Sequence, residues 1–240
     1  MELQQSSEPE SYAVATIRPW NLAEYENNIS KLPGRWTLIT EPRELTVEYL
    51  DSLRPRYVFF PHWSHKIPPE IIRRFECVCF HQTDLPYGRG GSPMQNLIER
   101  GHEHTMLTAL RMTEEFDAGP VYLKRPMSLH GLGEEIFLRV ARTVTTMIAE
   151  IIANHPEPVP QSGEATVFKR RTPAQSQIPP ETISLEKLFD HLRMLDVAGY
   201  PPAFLEYGNI RLEFSRPALR TGRIEADVKI SILPKQAGLS

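Results

Sequence analysis

Short apolar runs alternate with amphipathic stretches along most of the chain. "YAVATI" (Tyr12–Ile17), "WTLIT" (Trp36–Thr40), "YVFF" (Tyr57–Phe60) and "CVCF" (Cys77–Phe80) are runs of strand length. Between them lie stretches of helical spacing: 21–32, stopped by Pro33-Gly34; 46–53, stopped by Arg54-Pro55; and 68–75. Strand and helix in alternation predict an α/β domain, a mostly parallel sheet with helices on its faces. Ser92, Pro93 and Gln95 stand where a capping box places its N-cap, first and third helical residues, so a helix is expected from there to Arg100. Thr105–Met112 and Pro120–Met127 read as two further strands. In 134–153, Ile136, Val140, Val144, Ile148 and Ile151 form one apolar stripe at helical spacing.

The pattern then changes. Residues 156–180 are rich in proline and polar side chains and predict a linker. Beyond it, 184–196 carries Leu185, Leu188, Leu192 and Leu195 in line, 203–214 is hairpin-like with Gly208-Asn209 at its turn, and 222–233 alternates like a last strand. The expected organisation is a core over 1–155, a linker over 156–180 and a small α+β subdomain with a β-hairpin over 181–240.

Composition narrows the field. The sequence has 240 residues, enough for a real core, and its formal charge is 27 − 30 = −3. No basic excess draws nucleic acid or an anionic membrane surface. No segment has the roughly 20 consecutive apolar residues of a membrane span. The opening "MELQQSSEPES" is polar and acidic and predicts neither a signal nor a transit peptide. A cytoplasmic protein is expected. Cys77 and Cys79 flank one strand residue; they share a face, are poorly placed for a disulfide, and fall short of a zinc set.

The candidate chemistry sits in "FHQTDLPYGRGGSPMQN", Phe80–Asn96. In an open α/β sheet, ligands bind outside the carboxyl ends of the strands. His81 follows strand "CVCF" directly, so the strand end aims it into that crevice. Gly88, Gly90 and Gly91 let backbone approach a ligand closely, and the helix start at Ser92 adds free N–H groups. Five histidines, His62, His65, His81, His102 and His104, raise a metal-hydrolase alternative. Neither close pair sits in a helical H-E-x-x-H setting, and no metal is expected.

These residues resemble a family. Formyltransferases that use 10-formyltetrahydrofolate carry a strand ending Asn-x-His, a Leu-Pro-x-x-Arg-Gly loop, a Pro-x-Gln helix start and, later, Asp-x-Gly. This chain reads Cys79-Phe80-His81, Leu85-Pro86-Tyr87-Gly88-Arg89-Gly90, Pro93-Met94-Gln95 and Asp117-Ala118-Gly119. The resemblance implies a Rossmann-like formyltransferase core and 10-formyltetrahydrofolate as co-substrate. It gives His81 acid/base and oxyanion duty, with Asp117 orienting His81 and a water. Alone, His81 also fits a satisfied core histidine and Asp117 a turn cap. Cys79 falls where the family has a catalytic asparagine; a thiol is a weak donor, which leaves the oxyanion stabiliser open. Folate is expected beside Trp63, His65, Lys66, Ile67 and Pro68, with Met112, Thr113, Glu114, Glu115 and Phe116 as second wall.

For the acceptor, Arg170-Arg171-Thr172-Pro173 and Gly199-Tyr200-Pro201-Pro202-Ala203-Phe204 resemble elements of bacterial nucleotide-linked amino-sugar N-formyltransferases of nonulosonic acid pathways. The resemblance implies a UDP-linked 4-amino sugar, a small-molecule partner, with no nucleic acid and no membrane. A homodimer is left open. A diphosphate wants arginines and backbone N–H groups, which points to Arg89, Arg170, Arg171 and the loop at Asn21, with Thr83, Tyr87, Gly88, Gly90, Gln95 and Tyr200 around the sugar or base. The alternatives are an enzyme of the methionyl-tRNA formyltransferase kind and an inactive folate- or nucleotide-sugar-binding protein.

Overall fold

A computed structural model describes residues 9–182 and 184–233. Most of the acidic opening stretch and residues 234–240 of the expected subdomain lie outside the described residues. In chain order the strands are β1 (Ser11–Ala15), β2 (Arg35–Ile39), β3 (Tyr57–Phe60), β4 (Cys77–His81), β5 (Arg89–Gly90), β6 (His104–Arg111), β7 (Val121–Ser128), β8 (Val167–Phe168), β9 (Ala203–Tyr207), β10 (Ile210–Arg220) and β11 (Arg223–Ile232). The helices are α1 (Pro19–Asn27), α2 (Val47–Leu53), α3 (Pro69–Arg74), α4 (Pro93–Glu99), α5 (Gly133–Asn154) and α6 (Leu185–Arg193).

The chain forms two compact units. The first comprises Met1–Arg89, Met106–Pro126 and Leu138–Thr166; the second comprises Gly90–Thr105, Met127–Phe137 and Val167–Ser240. The boundaries expected at 155 and 180 do not coincide with these. Within 156–180, read above as a linker, lie β8, a 3-10 turn at Pro173–Ser176 and a bridge from Val159 to Val121.

The main sheet runs β2-β1-β3-β4-β6-β7. The β1–β2, β1–β3 and β3–β4 pairs are parallel and β4–β6 is antiparallel. Every residue of β1 and of β3 is buried, as central strands covered on both faces require. Ala13, Ala15, Val58 and Phe60 pack with Leu50 of α2 and Ile71 of α3 in one cluster. Thr46 caps α2, its Oγ1 accepting from the Tyr49 N–H at 3.1 Å. The α5 stripe is buried throughout, from Ile136 to Ile151.

β1 lies between β2 and β3, so the strand order reverses there, and that reversal is where open α/β sheets form their crevice. Two buried side chains tie the loops at this point: Thr16 Oγ1 and Asn21 Nδ2 donate to the Pro61 carbonyl at 2.7 and 3.0 Å.

In the second unit, β11, β10 and β9 form an antiparallel sheet. Gly208-Asn209 turns β9 into β10 as expected, but β10 runs on to Arg220. A bulge between Ser215 and Ala218, with Arg216 at φ 51°, breaks the alternation there and hides the continuation from a period-two reading. The capping box expected at Ser92 does not form. Ser92 is left-handed at φ 50° and its side chain does not cap α4; its Oγ accepts instead from the Arg171 N–H at 3.1 Å. Gln95 is buried, with Nε2 directed to the Met194 carbonyl at 3.5 Å. No helix among the described residues is long and apolar enough to cross a membrane.

Candidate active site

β4 carries the motif out of the core. Its alternate residues Cys77, Cys79 and His81 share a face. Cys77 sits inside the hydrophobic cluster, and burial pushes its thiol up to about 12. Cys79 packs against the same cluster; burial first, and the Asp117 charge second, push its thiol well above the ordinary value. Both sulfurs stay protonated at neutral pH.

His81 is buried at the strand's end, 7% exposed. Its Nε2 lies 2.8 Å from the Gly88 carbonyl oxygen and its Nδ1 lies 3.5 Å from Asp117 Oδ1. A carbonyl can only accept, so Nε2 carries the proton, and Nδ1 is the nitrogen turned to the carboxylate.

The loop after β4 is built to present that carbonyl. Gly88 adopts φ 73°, open to glycine without cost. Its N–H donates to Thr166 Oγ1 at 2.7 Å, and its oxygen also accepts from Thr83 Oγ1 at 3.4 Å. Thr83 in turn is fixed through its carbonyl, which accepts from Thr108 Oγ1 at 2.7 Å. Leu85 is buried beneath the loop, and Tyr87 closes a turn onto the Asp84 carbonyl.

Asp117 is held from the other side. Its backbone is left-handed at φ 54°, a region aspartate tolerates better than most residues. Gln161 spans the turn: Nε2 donates to the Asp117 and Gly119 carbonyls at 2.7 and 2.8 Å. Gln161 Oε1 accepts from Arg89 Nε and Nη2 at 3.2 and 2.9 Å, and Arg89 Nη1 pairs with Glu115 at 3.3 Å. Gly119 is required where it stands, because a Cβ there would meet the Arg111 carbonyl oxygen at 1.8 Å.

The expected folate walls both lie in the first unit. Ile67 is core, Trp63 packs against the core, and His65 and Lys66 are exposed, with Pro68 opening α3. Trp63 Nε1 is buried with no hydrogen-bond partner among the described residues. In the second wall Met112 packs against the core, Thr113 Oγ1 donates to the Glu115 carbonyl, and Glu114 pairs with Arg73. Phe116, beside Asp117, is 78% exposed.

The residues expected around a nucleotide sugar divide. Asn21, Thr83, Tyr87, Gly88 and Arg89 belong to the first unit; Gly90, Gln95, Arg170, Arg171 and Tyr200 belong to the second. Arg171 pairs with Glu99 at 2.8 Å, donates to the Gln175 carbonyl and is nearly buried, so it braces the fold. Tyr200 packs its ring on Phe137, with centroids 5.7 Å apart. Arg170 is exposed. Among the described residues one group of possible metal ligands comes together, the exposed Glu103, His104 and His130 in the second unit, and His81 is not in it.

Gln161 and Thr166 were missed from sequence. They fall in the proline-rich stretch, and nothing local marks a glutamine there as a tether for a turn 44 residues earlier.

Two family models match the chain, one described as formyl transferase over residues 18–131, the other as the C-terminal domain of methionyl-tRNA formyltransferase over 173–231. A solved structure titled methionyl-tRNA formyltransferase from Clostridium thermocellum is 46% identical, with a TM-score of 0.89, covering 93% of this chain and 99% of that one. The chain belongs to the formyltransferase family. Among curated formyltransferases, the methionyl-tRNA formyltransferase of Thermotoga maritima is 33% identical over 85 residues, 35% of this chain and 27% of that protein. The chain spans about half or less of the length of the curated relatives it matches. HypX from Aquifex aeolicus, solved in complex with tetrahydrofolic acid, shares the fold at 17% identity and a TM-score of 0.71, over 88% of this chain and 38% of that one.

These findings correct two expectations. The nucleotide-sugar acceptor gives way, because the C-terminal model and the relatives are of the methionyl-tRNA kind. The exclusion of a nucleic-acid partner falls with it. It rested on a net charge of −3, but net charge sums over the whole surface while an acceptor is held by a local patch.

Proposed function

We propose that the chain is an N-formyltransferase that moves a formyl group from 10-formyltetrahydrofolate to the amino group of methionyl-tRNA. The observation that carries the transfer reading is His81 clamped between the Gly88 carbonyl and Asp117. The acceptor rests on the likeness to the Clostridium thermocellum enzyme and on the C-terminal family model.

Formyl transfer to an amine needs a proton taken from the attacking nitrogen, one returned to the leaving nitrogen, and relief for the tetrahedral oxyanion. Gly88 holds the proton on Nε2, so in the neutral ring Nδ1 has the free lone pair. Nδ1 accepts the amine's proton, and the Asp117 carboxylate beside it steadies the imidazolium until the proton passes on. The ring's positive charge then stands ready to relieve the oxyanion. Cys79 stays a neutral thiol, which argues against a covalent route through sulfur.

The folate donor supplies the activated formyl group when bound. The residues present fit it: a buried Trp63 N–H lacks a partner, and Phe116 offers an exposed ring beside Asp117. The test is turnover of the purified chain with 10-formyltetrahydrofolate and methionyl-tRNA, following tetrahydrofolate release and formylmethionine together. Release of both in equal amounts is expected. Folate turnover without formylation of methionyl-tRNA would refute the acceptor.

A further inference from the structure

In the second unit three side chains of the metal-ligating kind converge where the chain enters β6 and leaves β7. Glu103, His104 and His130 are exposed, and one donor atom of each, a carboxylate oxygen or a ring nitrogen, lies within 4.8 Å of the others. His104 opens β6, and His130 follows the end of β7, the neighbouring strand. Adjacent residues within a strand point to opposite faces. Glu103 stands in the bend before β6 begins, outside that alternation, so its carboxylate can share the side of His104. The two imidazoles meet edge to face, with centroids 5.3 Å apart and planes at 81°.

The backbone that carries these side chains is fixed from below. The Leu129 N–H donates to the Glu103 carbonyl at 2.8 Å, which joins the two segments, and the Leu129 side chain is fully buried. Arg193, itself 7% exposed, donates through Nη1 to the Leu129 and Gly131 carbonyls at 2.5 and 2.9 Å, one on each side of His130. Beyond His130, the Glu135 carboxylate accepts from the Leu132 N–H at 2.8 Å and closes the turn. Ahead of Glu103, the Gly101 and His102 N–H groups donate to the Ile98 and Leu97 carbonyls at 2.9 and 3.1 Å. A buried guanidinium on those two carbonyls sets the position from which the His130 ring projects. Side-chain rotation is then the main freedom left between the three donors and a common ion.

We propose that Glu103, His104 and His130 bind a divalent cation of the zinc class. Two imidazole nitrogens select against Mg²⁺ and Ca²⁺, which take oxygen ligands. Zinc takes nitrogen at about 2.0–2.1 Å and carboxylate oxygen at about 2.0–2.2 Å, so donors in a tetrahedral array stand roughly 3.4 Å apart. Donors already within 4.8 Å reach that spacing by moving about 1 Å, which exposed rotamers allow. The open side leaves the fourth position to water. The bound ion ties the start of β6 to the end of β7 and, because it binds the folded arrangement, stabilises it. All three ligands belong to the second unit and His81 is not among them. The ion is therefore no reactant in the transfer, and the proposal does not depend on the acceptor.

The experiment is a calorimetric titration of the tag-free full chain with Zn²⁺, with Co²⁺ absorption as a second readout of the coordination. One zinc per chain with a micromolar dissociation constant is expected. His104→Ala and His130→Ala should each weaken binding more than about a hundredfold, beyond what loss of a supporting residue costs, and Glu103→Gln about tenfold. All three side chains are exposed, so circular dichroism should not change. His102→Gln, a change next to the group but outside it, should bind as the wild type does. Co²⁺ should give visible d–d bands with the wild type and lose them in either histidine variant. A wild type that takes up no zinc overturns the proposal. So does zinc binding that survives both His104→Ala and His130→Ala, or that falls as far in His102→Gln as in those two.

Discussion

The two units use strand alternation in opposite ways. In the first, β1 and β3 are buried along their whole length, and the polar groups that reach the motif are held by named partners. His81 is held by Gly88 and Asp117, Asp117 by Gln161, and Gln161 by Arg89. In the second, β11 has no buried residue, and its Val228, Ile230 and Ile232 are exposed. Burial on both faces makes a rigid frame on which a proton-transfer pair can be positioned. Exposed side chains give no such frame. The transfer chemistry is therefore expected from the first unit.

The largest break of that contrast is at Asp117. Asp117→Asn keeps the shape of the side chain and removes the charge that steadies the His81 imidazolium. A loss in kcat of about 10²–10⁴ is expected with both KM values nearly unchanged, read from steady-state kinetics with each substrate varied. A change confined to KM would make Asp117 a binding residue.

Gln161 is next. It touches no reacting atom in this scheme and acts by holding the Asp117 turn through two hydrogen bonds. Gln161→Ala should lower kcat about tenfold with both KM values nearly unchanged, the order of one lost hydrogen bond of roughly 1–1.5 kcal/mol. Gln161→Glu keeps an acceptor for Arg89 but loses the donor to both carbonyls, so it should not restore activity. A merely structural role would lower stability in both variants and leave kcat of the folded enzyme alone.

Much of the first unit was legible because its signals are local. "CVCF" before His81 is apolar and β-branched or aromatic enough to mark a strand, and the glycines after it mark a loop. Asp117 entered only through the motif's resemblance to the formyltransferase family. Gln161 was not legible, since its role exists only once residues 161 and 117 are brought together. Ser92 misled for the converse reason: the residue types of a capping box were present, but a left-handed backbone turned the hydroxyl to Arg171 instead. Arg171 read as a free cation because its partner, Glu99, is far along the sequence. The acceptor was misread because net charge carries no position.

Arg171 gives a smaller, sharper contrast. Its guanidinium is nearly buried against a half-exposed Glu99. Solvent on the carboxylate side screens the pair, so Arg171→Ala should cost about 1–2 kcal/mol by urea denaturation. Neither KM should move. A tenfold rise in the acceptor KM at unchanged stability would return Arg171 to the binding surface.

The smallest effect is one of pH. Burial raises the Cys77 thiol from its ordinary 9.0 to about 12, so above pH 9 the native state holds a proton that the unfolded chain releases. That stability is complete below pH 9.0 and is lost as pH rises toward about 12. Burial raises Tyr12 and Tyr122 as well, and both act with the same sign. Cys77→Val keeps the apolar contact and removes one titrating group. Its urea midpoint should therefore fall less steeply than the wild type's above pH 9. Equal slopes would show that the thiol takes no part.

The central claim is that His81 and Asp117 work as one unit. A double-mutant cycle on kcat with His81→Asn, Asp117→Asn and the double variant tests it most directly. If the carboxylate acts only through the ring, removing it from an enzyme that already lacks the ring costs nothing further. The double variant should then be no slower than His81→Asn alone. Losses that multiply, with the double variant slower by the product of the two single effects, would mean that the residues act independently and that the clamp on His81 is not the catalytic device.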